Sequence, residues 1–198
     1  MLGIEEAQPL FRRAILMSPC VDHFLTLQEA QERASKYLKY LAINRKNASR
    51  LFSISPSMVQ YVNRAFTLSY AASGETRCAF SPVIDGVLLK DQPALLASRS
   101  TKPILIGYTS EESKLFAQKV PKTLLPAVAY SMNLFVPQKD ANDPRPYSER
   151  MLDCLSHRMF FAPIDTFYAH YEGKKWKYLY TYTTPQMQEQ DLGCCHSY

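Results

Sequence analysis

Glu112 and His196 are side chains of the kind that move a proton near neutral pH, and each lies just beyond a glycine: Gly107-Tyr-Thr-Ser-Glu-Glu112-Ser-Lys-Leu-Phe116 and Asp191-Leu-Gly-Cys-Cys-His196-Ser-Tyr198. A carboxylate that accepts the Nδ1 hydrogen of an imidazole fixes the tautomer and leaves Nε2 free to act as a general base. Each residue also has a plainer reading. Glu112 could be a carboxylate at the start of a helix, stabilised by the amide dipole, and His196 a terminal residue without a partner. Gly193 permits the sharp turn that would swing the ring over a sheet. Glu111, the neighbouring carboxylate, is the alternative acid if the acid position is off by one. His23, His157 and His170 fall in helical or loop segments with no partner motif and read as structural or surface residues.

A base and an acid need a nucleophile. A serine presented on a strand-to-helix elbow reads Gly-x-Ser-x-Gly, and that pentapeptide does not occur in the sequence; the nearest stretches, Ala72-Ser-Gly74 and Ser53-Ile-Ser-Pro-Ser57, read as loops. The five cysteines form no Cys-x-x-Cys pattern, so zinc is not expected. Cys194 and Cys195 beside His196 are no exception, because neighbours in an extended segment point to opposite faces. No cofactor is implied. The net charge of +5 is spread over separate clusters, including Arg12-Arg13, Arg45-Lys46 and Lys174-Lys175, which reads as solvated surface and not as a nucleic-acid footprint. No apolar run is long enough to span a membrane. Asn47-Ala-Ser49 fits an N-glycosylation acceptor.

The elements that must position these residues alternate between strand and helix. Ala14-Ile-Leu-Met17, Pro103-Ile-Leu-Ile-Gly107 and Trp176 to Tyr182 read as strands, the first two as buried parallel strands. Helical periodicity runs from Leu25 to Leu41, with Leu27, Ala30, Ala34, Leu38 and Leu41 as an expected core stripe, then from Pro56 to Ala71, Glu112 to Gln118, and Ser148 to Phe161. Pro163 is expected to interrupt the last of these. The polar stretch Pro137 to Pro146 reads as a surface loop. The alternation predicts an α/β architecture. Glu112 then follows the strand ending near Gly107, at the carboxyl end of the sheet, where such folds present their site groups.

The blocks that carry this chemistry resemble those of the type B carboxylesterase and cholinesterase family. Its acid lies in Gly-x-x-x-Asp-Glu-Gly-x-x-Phe and its base in a later Gly-x-x-His, matched by 107–116 and 193–196. Leu10-Phe-Arg-Arg-Ala-Ile-Leu-Met-Ser18 resembles the stretch after the family's elbow, and Phe80-Ser-Pro-Val-Ile-Asp85-Gly86 with Pro93 the segment before its acid. A weaker block, Ser156 to Pro163, carries His157 where the family usually has Asp. Ser113 replaces the family's Gly, Glu111 its Asp, and Pro19-Cys20 its Gly-Ser.

The resemblance covers residues 1–198 and implies a partial α/β-hydrolase fold, the middle and C-terminal part of the sheet with flanking helices. It implies Glu112 as catalytic acid and His196 as catalytic base of a serine esterase, with a small-molecule ester as substrate and a secreted or ER-lumenal setting. By that alignment the nucleophile lies roughly ten residues upstream of Met1, on the elbow of this fold. The glycine-rich loop of the oxyanion hole is likewise expected N-terminal to Met1. The chain is therefore expected to be an internal fragment, inactive and aggregation-prone on its own. The alternative is a non-catalytic adhesion or binding relative that keeps the fold without the serine.

Overall fold

The computed structural model describes residues 1–73, 75, 77–117, 120–139 and 142–196. Gln118, the expected end of the third helix, and part of the expected 137–146 loop lie outside them. After a 3-10 segment at Glu5–Leu10, the chain forms β1 (Ala14–Met17), β2 (Leu25–Thr26), α1 (Leu27–Tyr40), α2 (Pro56–Ala72), β3 (Val83–Ile84), α3 (Pro93–Ser98), β4 (Ile104–Thr109) and α4 (Lys114–Ala117). There follow α5 (Leu125–Ser131), α6 (Tyr147–Ser156), α7 (Ala162–His170), β5 (Lys175–Tyr180) and α8 (Pro185–Glu189).

The three strands legible in the sequence make one parallel sheet in the order β1-β4-β5, with Ile15, Leu105 and Trp176 sharing one rung and Met17, Gly107 and Tyr178 another. Between these strands run helices, as crossovers between parallel strands require. One face is built into the core: Ile104, Ile106 and Tyr108 pack with Ala97 of α3, Phe160, and Ile164 and Phe167 of α7. Gly107 is needed at the centre of the sheet, since a Cβ there would lie 2.3 Å from the Tyr178 carbonyl oxygen.

Two shorter strands went unread. β2 and β3 pair in parallel over two rungs, Leu25 with Val83 and Thr26 with Ile84, too few residues for an alternation to register. Thr26 also closes a capping box, its Oγ1 accepting from the Glu29 amide while the Glu29 carboxylate accepts from the Thr26 amide at 2.8 Å. That is why α1 starts at Leu27 and not at Leu25. The expected stripe on α1 is also corrected: Leu27 is half exposed and Ala34 exposed, whereas Arg33 is buried. The guanidinium of Arg33 donates to the carbonyls of Cys78 and Ala79, pairs with Glu75, and lies 4.5 Å from the Tyr70 ring. Satisfied hydrogen bonds thus turn toward the interior a face that hydrophobicity alone points outward. In the Asp-Gly block, Asp85 accepts the amides of Val87, Leu88 and Leu89 at 2.9 Å each, and Gly86 takes a left-handed φ of 73°, so the pair shapes a turn.

Pro163 does not stop its helix. Between α6 and α7, His157–Phe161 form a π turn in which the Ala162 amide donates to the His157 carbonyl. Proline lacks the amide that an ordinary α-helical ladder needs there, and the widened turn absorbs the deficit so that the chain continues into α7.

Candidate functional site

Neighbouring strand ends bring the site together. β4 ends at Thr109, and the turn 110–113 carries Glu111 and Glu112 before α4 begins. β1 ends at Met17, two rungs below, and Ser18 then leaves the sheet with a left-handed φ of 46° while its amide donates to the Gly107 carbonyl. His196 lies on the loop after α8.

Glu112 is fully buried, and three donors converge on its carboxylate. Oε1 accepts from the Ser18 hydroxyl at 2.5 Å and from the Thr109 amide at 2.7 Å, while Oε2 lies 2.7 Å from Nδ1 of His196. A carboxylate held on both oxygens has little freedom to rotate, so the imidazole plane is set by the protein and not by solvent. In the neutral ring that donates from Nδ1 to Oε2, Nε2 carries the lone pair. About a quarter of the His196 side chain remains exposed. Its ring is flanked by Phe160 at 5.0 Å and Phe116 at 5.5 Å, which themselves stack at an interplanar angle of 7°.

Glu111 does separate work. Its carboxylate accepts from the Cys194 amide at 2.8 Å and pairs with Lys114 at 2.5 Å, and its own amide donates to the Cys194 carbonyl. Burial opposes ionisation of Glu111, but Lys114 and the Cys194 amide outweigh it and hold its pKa below the ordinary carboxylate value. Gly193 makes this contact possible: it adopts a φ of 55°, and a Cβ there would fall 2.0 Å from Oε2 of Glu111. Cys194 adds a 3.0 Å contact from its sulfur to the Tyr180 carbonyl of β5. The histidine loop is therefore pinned to the acid turn on one side and to the sheet on the other.

Ser113, where the resembled family has glycine, uses its hydroxyl. Its Oγ donates to the Leu152 carbonyl at 2.6 Å, and its amide donates to Oγ of Ser156 at 3.0 Å, tying the acid turn to α6. Ser18, Phe116 and Phe160 belong to this constellation; the sequence blocks contain all three, but the sequence reading gave them no role at the site. The signal for Ser18 was its place directly after β1, the parallel neighbour of β4; Phe160 stood in the weaker block Ser156 to Pro163, but nothing there showed that the π turn would aim it at the ring. His23, His157 and His170 lie elsewhere. Among the described residues no group of three or more His, Cys, Asp or Glu could hold a metal.

Beside His196 opens a cavity of about 570 Å³ lined by Ser18, Thr109, Tyr178, Tyr180, Met17 and Leu105, among others. The Oγ1 of Thr109 is buried here without a hydrogen-bond partner among the described residues. The site thus consists of an oriented imidazole opening onto an apolar, aromatic sheet face.

A carboxylesterase family model matches residues 1–130, a span that takes in Ser18 and Glu112. The chain belongs to the carboxylesterase family. Its fold is similar to that of a Geobacillus stearothermophilus carboxylesterase, EST55, with 23% identity and a TM-score of 0.67 over 93% of this chain and 41% of that one. A PNB esterase superposes with a TM-score of 0.67 at 21% identity, over 99% of this chain and 43% of its own. A thermophilic PNB esterase gives 0.64 at 21%, over 99% and 42%. The chain thus spans about two fifths of the length of these esterases, as part of an α/β-hydrolase fold. No curated protein matches it in sequence. Among the described residues no helix is long and apolar enough to cross a membrane.

Proposed function

We propose that residues 1–198 form the acid-base part of a carboxylesterase-type α/β-hydrolase domain, and that the intact domain cleaves carboxylic esters through a serine nucleophile. In this reading Glu112 holds the imidazole and stabilises the imidazolium, while Nε2 of His196 takes the serine proton as the serine oxygen attacks the ester carbonyl. The same nitrogen returns that proton to the departing alkoxide, leaving an acyl-enzyme that water hydrolyses with His196 again as base. The supporting observation is the relay itself, a fully buried carboxylate bonded to Nδ1 of a part-exposed imidazole at 2.7 Å and held in place by Ser18 and Thr109. The serine and the oxyanion donors belong, in this reading, to a further segment of the domain that covers the open sheet face beside His196.

Two measurements test it. The coding sequence upstream of the Met1 codon is read for Gly-x-Ser-x-Gly, expected roughly ten residues before Met1 on the elbow of this fold; a replaced serine would point to a non-catalytic adhesion-type relative. In a protein that carries the elbow, Glu112→Gln lowers kcat on a p-nitrophenyl ester by about ten-thousandfold, as loss of the correct tautomer does in the serine-protease template. The chain by itself gives no turnover above the blank; turnover abolished by His196→Ala would show that no outside serine is needed.

A further inference from the structure

His23 takes no part in the candidate site, yet it is only 5% exposed, and its Nδ1 is buried with no hydrogen-bond partner among the described residues. A neutral ring can leave a bare lone pair at that nitrogen. Protonation makes both ring nitrogens donors, and a buried N–H with no acceptor is far more costly.

The same ring helps to seat the segment around it. Between Ser18 and β2 the chain has no regular structure, and among the described residues the amides of Cys20 through His23 donate no hydrogen bond. Side chains hold this stretch instead: Val21 packs against the main core, and His23 is enclosed. At the far end the Phe24 carbonyl accepts from Arg77 at 3.0 Å. At the near end the Ser18 amide donates to the Gly107 carbonyl at 2.8 Å, and its hydroxyl to Glu112 at 2.5 Å.

We infer that His23 is a pH-sensitive pin: neutral, it seats the segment from Pro19 to Phe24; protonated, it unseats that segment and loosens the hold of Ser18 on Glu112. The charges that face the ring do not rescue the protonated form. Asp22, on the same segment, lies 3.7 Å from Nε2, but its side chain is 57% exposed and screened by water. Glu75, before β3, is already paired with Arg33 and Arg77, and Arg77 is itself a cation, bound in turn to Glu29 of α1. Burial therefore dominates and holds the His23 pKa below the ordinary 6.5, with Asp22 and Glu75 opposing it and Arg77 adding to it. Because the folded value lies below the unfolded one, the stabilisation is complete above about pH 6.5 and is lost as pH falls below it. This window lies above the one in which Glu29 and Glu75 titrate. The consequence for the base rests on the function proposed above, whereas the unseating does not.

Amide hydrogen exchange of the chain is followed at about pH 7.5 and about pH 5.5, with each rate corrected for its intrinsic pH dependence. One proton taken up per opening lowers the protection of the Ser18 and Leu25 amides, which flank the segment, by up to about tenfold over that interval, while Ile106 in β4 keeps its protection. In His23→Phe the fall disappears, which separates His23 from His157, His170 and His196. If that variant does not fold, NMR of the unaltered chain decides: the carbon-bound ring hydrogens of native His23 titrate below pH 6.5. Protection at Ser18 that ignores pH, a fall that survives in His23→Phe, or a native His23 midpoint at or above 6.5 would overturn the inference. None of these readouts depends on ester turnover.

Discussion

The two faces of the central sheet have opposite fates. On one, Ile104, Ile106 and Tyr108 disappear beneath α3 and α7 into the main hydrophobic core. On the other, Ile15 and Met17 are 64% and 75% exposed, Trp176 and Tyr180 are 56% and 43% exposed, and Leu105 lies between them. Parallel sheets are ordinarily covered on both sides because their strands are apolar on both sides. The difference separates two jobs: the covered face holds the chain together, and the open face borders the cavity where His196 presents Nε2.

The largest effect that would break this contrast is a truncation on the covered face. Ile106→Ala should cost about 2–5 kcal/mol, the transfer loss plus a cavity at a fully enclosed position. Urea unfolding measures it, and a loss under 1 kcal/mol would mean that this face is not the principal core.

Gly193→Ala tests the junction between the faces. It forces an L side chain into a left-handed backbone and against Glu111, so it should cost about 1–3 kcal/mol and free the histidine loop. Faster hydrogen exchange at the Cys194 amide, with exchange in β4 unchanged below the global limit, is the expected signature.

Acid should act at a distance from both faces. Arg77 and the Thr26 amide hold Glu29 at a pKa of about 2. For Glu75, burial pushes upward but the hydrogen bonds and charge of Arg77, with the charge of Arg33, bring it to about 2 as well. Because both folded pKa values lie below the ordinary 4.5, the stabilisation is complete above that pH and is lost as pH falls from about 4.5 toward 2. Thermal midpoints across that window should decline, and Arg77→Met should flatten the decline.

The smallest effect belongs to the open face. Met17→Ser should change stability by no more than about 0.5 kcal/mol while raising the concentration at which the chain aggregates, as read by light scattering. A large destabilisation there would mean that the face is already covered by the chain itself.

The sequence made legible what rests on long patterns or ordered blocks. β1, β4 and β5 announce themselves by short apolar or alternating runs, and α2 extends only one residue beyond its expected end. Glu112 and His196 were legible because glycine-spaced blocks surround them, and the chain brings them to 2.7 Å across 84 positions. What escaped depends on tertiary partners. Arg33 looks like surface until Cys78, Ala79 and Glu75 arrive to satisfy it. Ser18 looks like the end of a strand until β4 places a carboxylate beside it. Two-rung strands such as β2 and β3 leave no periodicity to detect.

The π turn at His157–Phe161 has a consequence for how the site can be altered. One extra residue in a helical turn advances the phase of everything beyond it by about 100°, the angle per residue of a 3.6-fold helix. That offset is what lets a single continuous helical path seat Leu155 in the cluster beneath α5 and still turn Phe160 onto the imidazole. The orientation of the base is thus encoded partly in a count of backbone atoms, and a one-residue deletion between Ser156 and Ala162 would rotate the aromatic wall away from His196 without touching any residue that bonds to it.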